Sequence, residues 1–139
     1  MKVYKELYRV ASKYYPQEGG WCTVIALAVT ANIGFGKARS IMFNTQQRIN
    51  GKGSSVTRLN RAVKAQGFNV EQRDRMDKRF GRTLKTMQDK LAGTKGTYLI
   101  YTKQHVTVIK DGVCEDWCNN EHGRVTLYRI ESIYEVTPV

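Results

Sequence analysis

Hydrophobic positions recur at helical spacing over the first two thirds of the chain. Residues 2–15 carry apolar side chains on one face and end before Pro16. Residues 22–33 are apolar on almost every side, which is typical of a central, buried helix. Gly67 and Gly93 each mark the end of a further amphipathic helix. The predicted helices span residues 2–15, 22–33, 37–49, 56–66 and 84–92.

From residue 97 onward the spacing changes from helical to alternating. The dipeptide Asp111-Gly112 is a strong hairpin-turn signal, and it predicts that Lys110 pairs with Val113. Helices first and an antiparallel sheet last indicate an α+β fold, in a single domain that spans residues 1–139. Strands are predicted over residues 68–70, 97–102, 106–110, 113–117 and 125–130, with an element of undetermined type over 131–136.

The predicted hairpin collects chemically active side chains on one face. His105 and Asp116 are diagonal neighbours there, with roughly 5–8 Å between their side-chain bases, which is close enough for a carboxylate–imidazole hydrogen bond. The opposite face is apolar and carries Val106, Val108, Val113 and Trp117. The first face carries His105, Thr107, Ile109, Cys114, Asp116 and Cys118.

Cys22 is the candidate nucleophile. It follows Gly19-Gly20-Trp21 and begins the apolar helix, where the positive end of the helix dipole lowers the pKa of a thiol. If this helix packs on the sheet face that bears His105 and Asp116, the chain holds a Cys-His-Asp triad. The backbone N–H of Cys22 and the side-chain amide of Gln17 would then polarise the acyl oxygen.

These residues resemble the papain-like cysteine peptidases, especially the small peptidase-like domains of the bacteriocin-processing type found in bacteria and their phages. The local phrases that carry the likeness are Trp21-Cys22-Thr23-Val24-Ile25-Ala26-Leu27-Ala28, Gly96-Thr97-Tyr98-Leu99-Ile100, His105-Val106 and Ile109-Lys110-Asp111-Gly112-Val113-Cys114-Glu115-Asp116.

The resemblance implies a papain-like fold, in which a helical half presents the cysteine and an antiparallel sheet presents the histidine and the acid. It also implies acyl transfer from a peptide or amide bond through a thioester, without a cofactor. Under it Cys22 is the nucleophile, and His105 is the general base and then the acid. Asp116 orients the imidazole, and Gln17 is the oxyanion donor.

The net charge of +11 favours an anionic partner. Most of a basic cluster falls in the charged stretch 72–82, which is predicted to be a surface loop. The cluster is interleaved with acids, as on a solvated surface, and Phe80 or the tyrosines are available to stack on bases. The predicted anionic-partner surface consists of Arg73, Arg75, Lys78, Arg79, Arg82 and Lys85.

Two uses of this surface stay open. In the first, the surface borders a substrate cleft and selects acidic peptide or protein substrates. In the second, the protein is a non-catalytic papain-like scaffold that binds nucleic acid or an acidic protein through residues 72–85. A third reading is a structural phage protein in which the triad is incidental. No recognisable nucleic-acid-binding motif accompanies the charge, and the chain carries no signal for an oligomeric state.

Three cysteines, no export signal and no apolar run long enough for a membrane span predict a cytoplasmic protein with free thiols. A zinc site built from Cys114, Cys118, His122 and His105 is the alternative use of these side chains. On an extended strand the two cysteines would lie about 13 Å apart, too far to share one ion. We therefore predict no metal.

Overall fold

A computed structural model describes residues 3–14, 21–45, 56–102, 105–114 and 129–139. These ranges contain five α-helices and four strands, which confirms the α+β class. The helices are α1 (Val3–Tyr14), α2 (Cys22–Ala31), α3 (Phe35–Ser40), α4 (Val56–Ala65) and α5 (Leu84–Leu91). The strands are β1 (Phe68–Arg73), β2 (Thr97–Thr102), β3 (His105–Lys110) and β4 (Ile130–Pro138).

The strands form one antiparallel sheet in the order β1-β4-β2-β3. One face of this sheet, called the α2 face, packs against α2 and α4 and contributes Leu99, Tyr101, Val106, Val108 and Val136. The other, called the α5 face, packs against α5 and Phe80 and contributes Tyr98, Ile100, Ile109 and Ile133. The sheet is therefore apolar on both sides and lies between two helical layers.

Helix α2 is the central helix that its composition predicts. Seven of its residues are buried, and α1 and α3 pack against it on the side away from the sheet. It ends at Asn32, which has φ 55° in the left-handed region. The next helix begins at Phe35 instead of the predicted residue 37, and runs into one π-helical turn over Ile41–Thr45. The remainder of the predicted segment, 46–49, lies outside the described residues.

The Asp111-Gly112 turn has the predicted geometry. Both residues have positive φ, 52° and 80°, as a type I′ turn requires. Lys110 and Val113 exchange backbone hydrogen bonds of 2.9 and 3.0 Å, which confirms their pairing. The strand predicted over 113–117 lies outside the described residues from 115 onward.

Strand β4 is the element left undetermined by the sequence, and a register shift explains why. Opposite the end of β2, Ser132 pairs with Tyr101 but Ile130 pairs with Thr102, so one extra residue is inserted. As a result Ile130 and Ile133 both contribute to the core of the α5 face, although their spacing is odd. A bulge of this kind removes the two-residue period by which a strand is recognised. Most of the strand predicted over 125–130 is outside the described residues.

Two buried hydroxyl groups of α2, those of Thr23 and Thr30, have no hydrogen-bond partner among the residues that the structure describes. We expect Thr30→Val to raise the free energy of unfolding by about 1 kcal/mol, because an unsatisfied buried hydroxyl costs about 1–3 kcal/mol. Urea denaturation measures the change. Thr57→Val, at an exposed position of α4, is the matched control and should stay within about 0.5 kcal/mol of wild type. A loss of stability in Thr30→Val would show that this hydroxyl is satisfied in solution.

Candidate active site

Cys22 is the first residue of α2, and its thiol is free and half-buried. The preceding Trp21 is buried and packs edge to face on Phe35, with 5.3 Å between ring centroids. The Trp21 carbonyl accepts the hydrogen bond from Ile25 N at 2.9 Å. These contacts hold the thiol at the N-terminal end of a buried helix. Gln17, the predicted oxyanion donor, lies outside the described residues.

Tyr101 connects Cys22 to the sheet. Burial raises the pKa of the Tyr101 phenol well above its ordinary range, and the charges of the nearby Tyr134 phenol and Cys22 thiol raise it further. Tyr101 is the penultimate residue of β2 and pairs with Val106, the second residue of β3. Tyr101 therefore lies at the end of the sheet where β2 ends and β3 begins, and it belongs to the hydrophobic cluster against which Cys22 packs.

His105 lies at the same end of the sheet, because it is the first residue of β3 and pairs with Thr102. Alternation along β3 nevertheless places its side chain with Thr107 and Ile109 on the α5 face. Helix α2 packs on the other face, against Val106 and Val108. The packing that the triad requires, with α2 on the face that bears His105, is therefore not observed.

The physical reason is that the face of β3 opposite His105 is the more apolar one. Val106 and Val108 lie there, whereas Ile109 shares its face with His105 and Thr107, so the apolar helix α2 buries more hydrophobic surface by covering the valines. The third predicted member, Asp116, lies outside the described residues.

Cys114 shares the α5 face with Thr107, as predicted, and its sulfur lies 3.6 Å from Thr107 Oγ1. It is fully buried and disulfide-bonded, so the prediction of free thiols is wrong for this residue. The prediction failed because the number of cysteines does not report which sulfurs the fold brings together. Cys118 and His122 lie outside the described residues.

The bonded Cys114 sulfur is not available as a thiolate ligand for the alternative zinc site. Within the ranges that the structure describes, no three histidine, cysteine or acidic side chains come together as metal ligands.

The predicted anionic-partner surface is partly neutralised. Arg73 forms ion pairs with Glu135 at 2.8 Å and Glu71 at 3.1 Å, and the hydrogen bond to Glu135 raises the pKa of its guanidinium. Arg79 lies 3.4 Å from Asp77, and Arg75 donates to the Ile130 carbonyl at 3.4 Å.

Three cations of this surface are exposed and have no side-chain partner in the described part of the chain: Lys78, Arg82 and Lys85. The expectation that Phe80 stacks on bases is wrong, because this ring is 4% exposed and packs edge to face on Tyr98 at 5.7 Å. The predicted loop 72–82 is itself shortened, since β1 continues to Arg73 and Phe80 and Gly81 are buried.

A groove of 270 Å³ beside α4 was not expected from the sequence. Asn60, Arg61 and Lys64 come from one face of the helix, and Tyr134 closes the groove from β4. The sequence does place polar residues at positions 57, 60, 61 and 64, on one face of the helix. The same spacing is found on any solvated helix face, so by itself it does not predict a groove. The lining residues are Val56, Thr57, Asn60, Arg61, Lys64 and Tyr134.

No protein-family model, curated protein or solved structure matches this chain. The likeness to papain-like peptidases therefore stays a hypothesis based on the residues themselves. Among the described helices, none is both long enough and apolar enough to cross a membrane.

Proposed function

We propose that the protein is a papain-like thiol hydrolase that cleaves a peptide or amide bond through a thioester at Cys22. The observation that carries the proposal is the free, half-buried Cys22 thiol at the N-terminus of a buried helix. A sulfur in that position is open to a substrate, and the backbone N–H groups of the first helical turn lie beside it, where they can donate to an oxyanion.

In the proposed reaction the thiolate attacks the carbonyl carbon, and the backbone N–H of Cys22, assisted by Gln17, donates to the oxyanion. The C–N bond then breaks, and the leaving amine takes a proton from His105. Water, deprotonated by His105, hydrolyses the thioester and regenerates the thiol. Asp116 holds the imidazole in one tautomer.

This role requires the His105 imidazole to approach Cys22 around the end of the sheet and not across the α2 face. His105 is the first residue of β3, so other residues of β3 flank its side chain on one side only. This position favours that route. Tyr101, which lies close to Cys22, is one residue from the Thr102 that pairs with His105.

Alkylation with iodoacetamide at neutral pH tests the proposal. In the wild type we expect Cys22 to react faster than free cysteine does under the same conditions. His105→Ala should slow the reaction, because the proposed general base is lost. Cys22→Ala should abolish labelling by a cysteine-reactive acyl probe.

The other histidine of the chain supplies the matched control, His122→Ala, which should leave the rate of Cys22 alkylation unchanged if His105 alone activates the thiol. A wild-type rate equal to that of free cysteine, unaffected by either substitution, would overturn the proposal.

The alternative is a non-catalytic papain-like scaffold that binds nucleic acid or an acidic protein through residues 72–85. The exposed cations Lys78, Arg82 and Lys85 favour it, because no side chain of the described residues neutralises them. It has less support than the hydrolase, since the other three cations of that surface are engaged by acids or by a backbone carbonyl.

A further inference from the structure

Among the described residues, the groove beside α4 is lined by several hydrogen-bond donors and by no carboxylate. Arg61 and Lys64 are exposed and one helical turn apart, and neither has an ion-pair partner in the described ranges. Two cations on one face without a neutralising acid attract an anion.

Asn60 adds a donor of defined direction. Its Oδ1 accepts the hydrogen bond from the Tyr101 hydroxyl at 3.1 Å, so its Nδ2 hydrogens are left to donate. The groove therefore offers an amide N–H, a guanidinium and an ammonium, a combination that suits carboxylate oxygens.

The groove is continuous with the surroundings of Cys22 through Tyr101. The Tyr101 ring packs edge to face on Tyr134, with 5.5 Å between centroids, and its hydroxyl holds Asn60. Cys22 packs against the same hydrophobic cluster that includes Tyr101, with Tyr134 at its margin. Tyr101 thus links the donors of the groove to the hydrophobic cluster against which Cys22 packs.

We propose that this groove binds an aspartate or glutamate side chain of a peptide substrate, a few residues from the bond that is cleaved at Cys22. The position relative to the cleaved bond rests on the proposed function, whereas the preference for an anion rests on the groove alone. An extended peptide advances about 3.3 Å per residue, so the distance from Cys22 to the groove determines how many residues separate the acidic side chain from the cleaved bond.

The size of the groove favours an acidic side chain over nucleic acid. Strong nucleic-acid binding needs a track of contacts to successive phosphates. The groove instead places its two cations in a single depression of 270 Å³, which suits one or two carboxylates.

The test uses the full chain carrying Cys22→Ala, so that binding is measured without turnover. The probe is a short fluorescein-labelled peptide with two adjacent glutamates, compared by fluorescence anisotropy with the same peptide carrying glutamines. We expect the glutamate peptide to bind more tightly. Arg61→Gln with Lys64→Gln should weaken its binding at least about tenfold, because each charge-assisted hydrogen bond contributes strongly, and should leave the glutamine peptide unaffected.

Arg82→Gln with Lys85→Gln is the matched control, since it removes the same charge from the predicted anionic-partner surface and should weaken binding less than about twofold. Equal binding of the two peptides, or an equal loss in both double variants, would overturn the proposal. Tighter binding of a short single-stranded oligonucleotide, lost in the Arg61 and Lys64 double variant, would also overturn it and assign the groove to nucleic acid.

The two proposals fail separately, because this measurement does not need a reactive thiol. Glutamate-dependent binding together with an unreactive Cys22 would retain the anion site and remove the hydrolase. A reactive Cys22 without glutamate-dependent binding would retain the hydrolase and remove the anion site. Far-UV circular dichroism checks that each double variant is folded; both Arg61 and Lys64 are exposed, so no core packing is lost.

Discussion

Gly112→Ala is expected to lower the free energy of unfolding by about 3 kcal/mol, as measured by urea denaturation. Gly112 has φ 80°, and an alanine there costs about 1–2 kcal/mol in strain. The added Cβ would also lie 2.6 Å from the Leu91 carbonyl oxygen and 2.9 Å from Gly93 N. Both are backbone atoms at the end of α5, so relieving the contact requires a shift of the main chain. That shift costs a further amount of about 1–3 kcal/mol.

Gly67→Ala separates these two costs. Gly67 has φ 93°, but an added Cβ there would meet nothing within 4 Å. Only the strain remains, so we expect a loss of about 1 kcal/mol. Equal losses in the two variants would contradict the close approach of the 111–112 turn to the end of α5.

Leu27→Ala is expected to cost about 3 kcal/mol, a large share of the 5–15 kcal/mol that typically separates folded from unfolded states. Leu27 is completely buried in α2, and its removal would leave a cavity where α2 packs against the sheet and the other helices. Urea denaturation with an unchanged m-value measures the loss.

Leu27→Met is the control for this site, because it conserves volume and should cost less than about 1.5 kcal/mol. A loss below about 1 kcal/mol for Leu27→Ala would mean that α2 is not the central packing element. The result also bears on Cys22, since the same helix positions the thiol.

The elements that local signals specify could be predicted from the sequence. The capping residue Thr83 accepts from Thr86 N, Gly67 takes positive φ after α4, and the Asp111-Gly112 turn pairs Lys110 with Val113. Each of these depends on residues within a few positions of one another, so no knowledge of tertiary packing is needed.

The arrangement of these elements around the candidate site could not be predicted in the same way. Both faces of β3 are covered by other elements, and α2 covers Val106 and Val108 instead of the face of His105. Phe80 is a single aromatic residue among charges, yet it is recruited into the core beneath α5. Such choices depend on the competition between surfaces that are distant in sequence.

The groove beside α4 was missed for a related reason. Its cations belong to a helix face that any soluble helix would show, and only the approach of Tyr134 from β4 makes that face concave. Tyr101 of β2 then joins the groove to Cys22. It donates to Asn60 of α4, packs on Tyr134 of β4 and lies within electrostatic reach of the Cys22 thiol of α2.

The position of β4 inside the sheet has a consequence for biosynthesis. Among the described strands, β1 pairs with β4 alone, and β4 also pairs along β2. A nascent chain that has emerged only as far as residue 129 therefore exposes an unpaired β1 and one open edge of β2, although both were synthesised earlier. Such edges invite pairing with other chains. The 130–138 segment accordingly determines when the growing polypeptide stops being prone to aggregation.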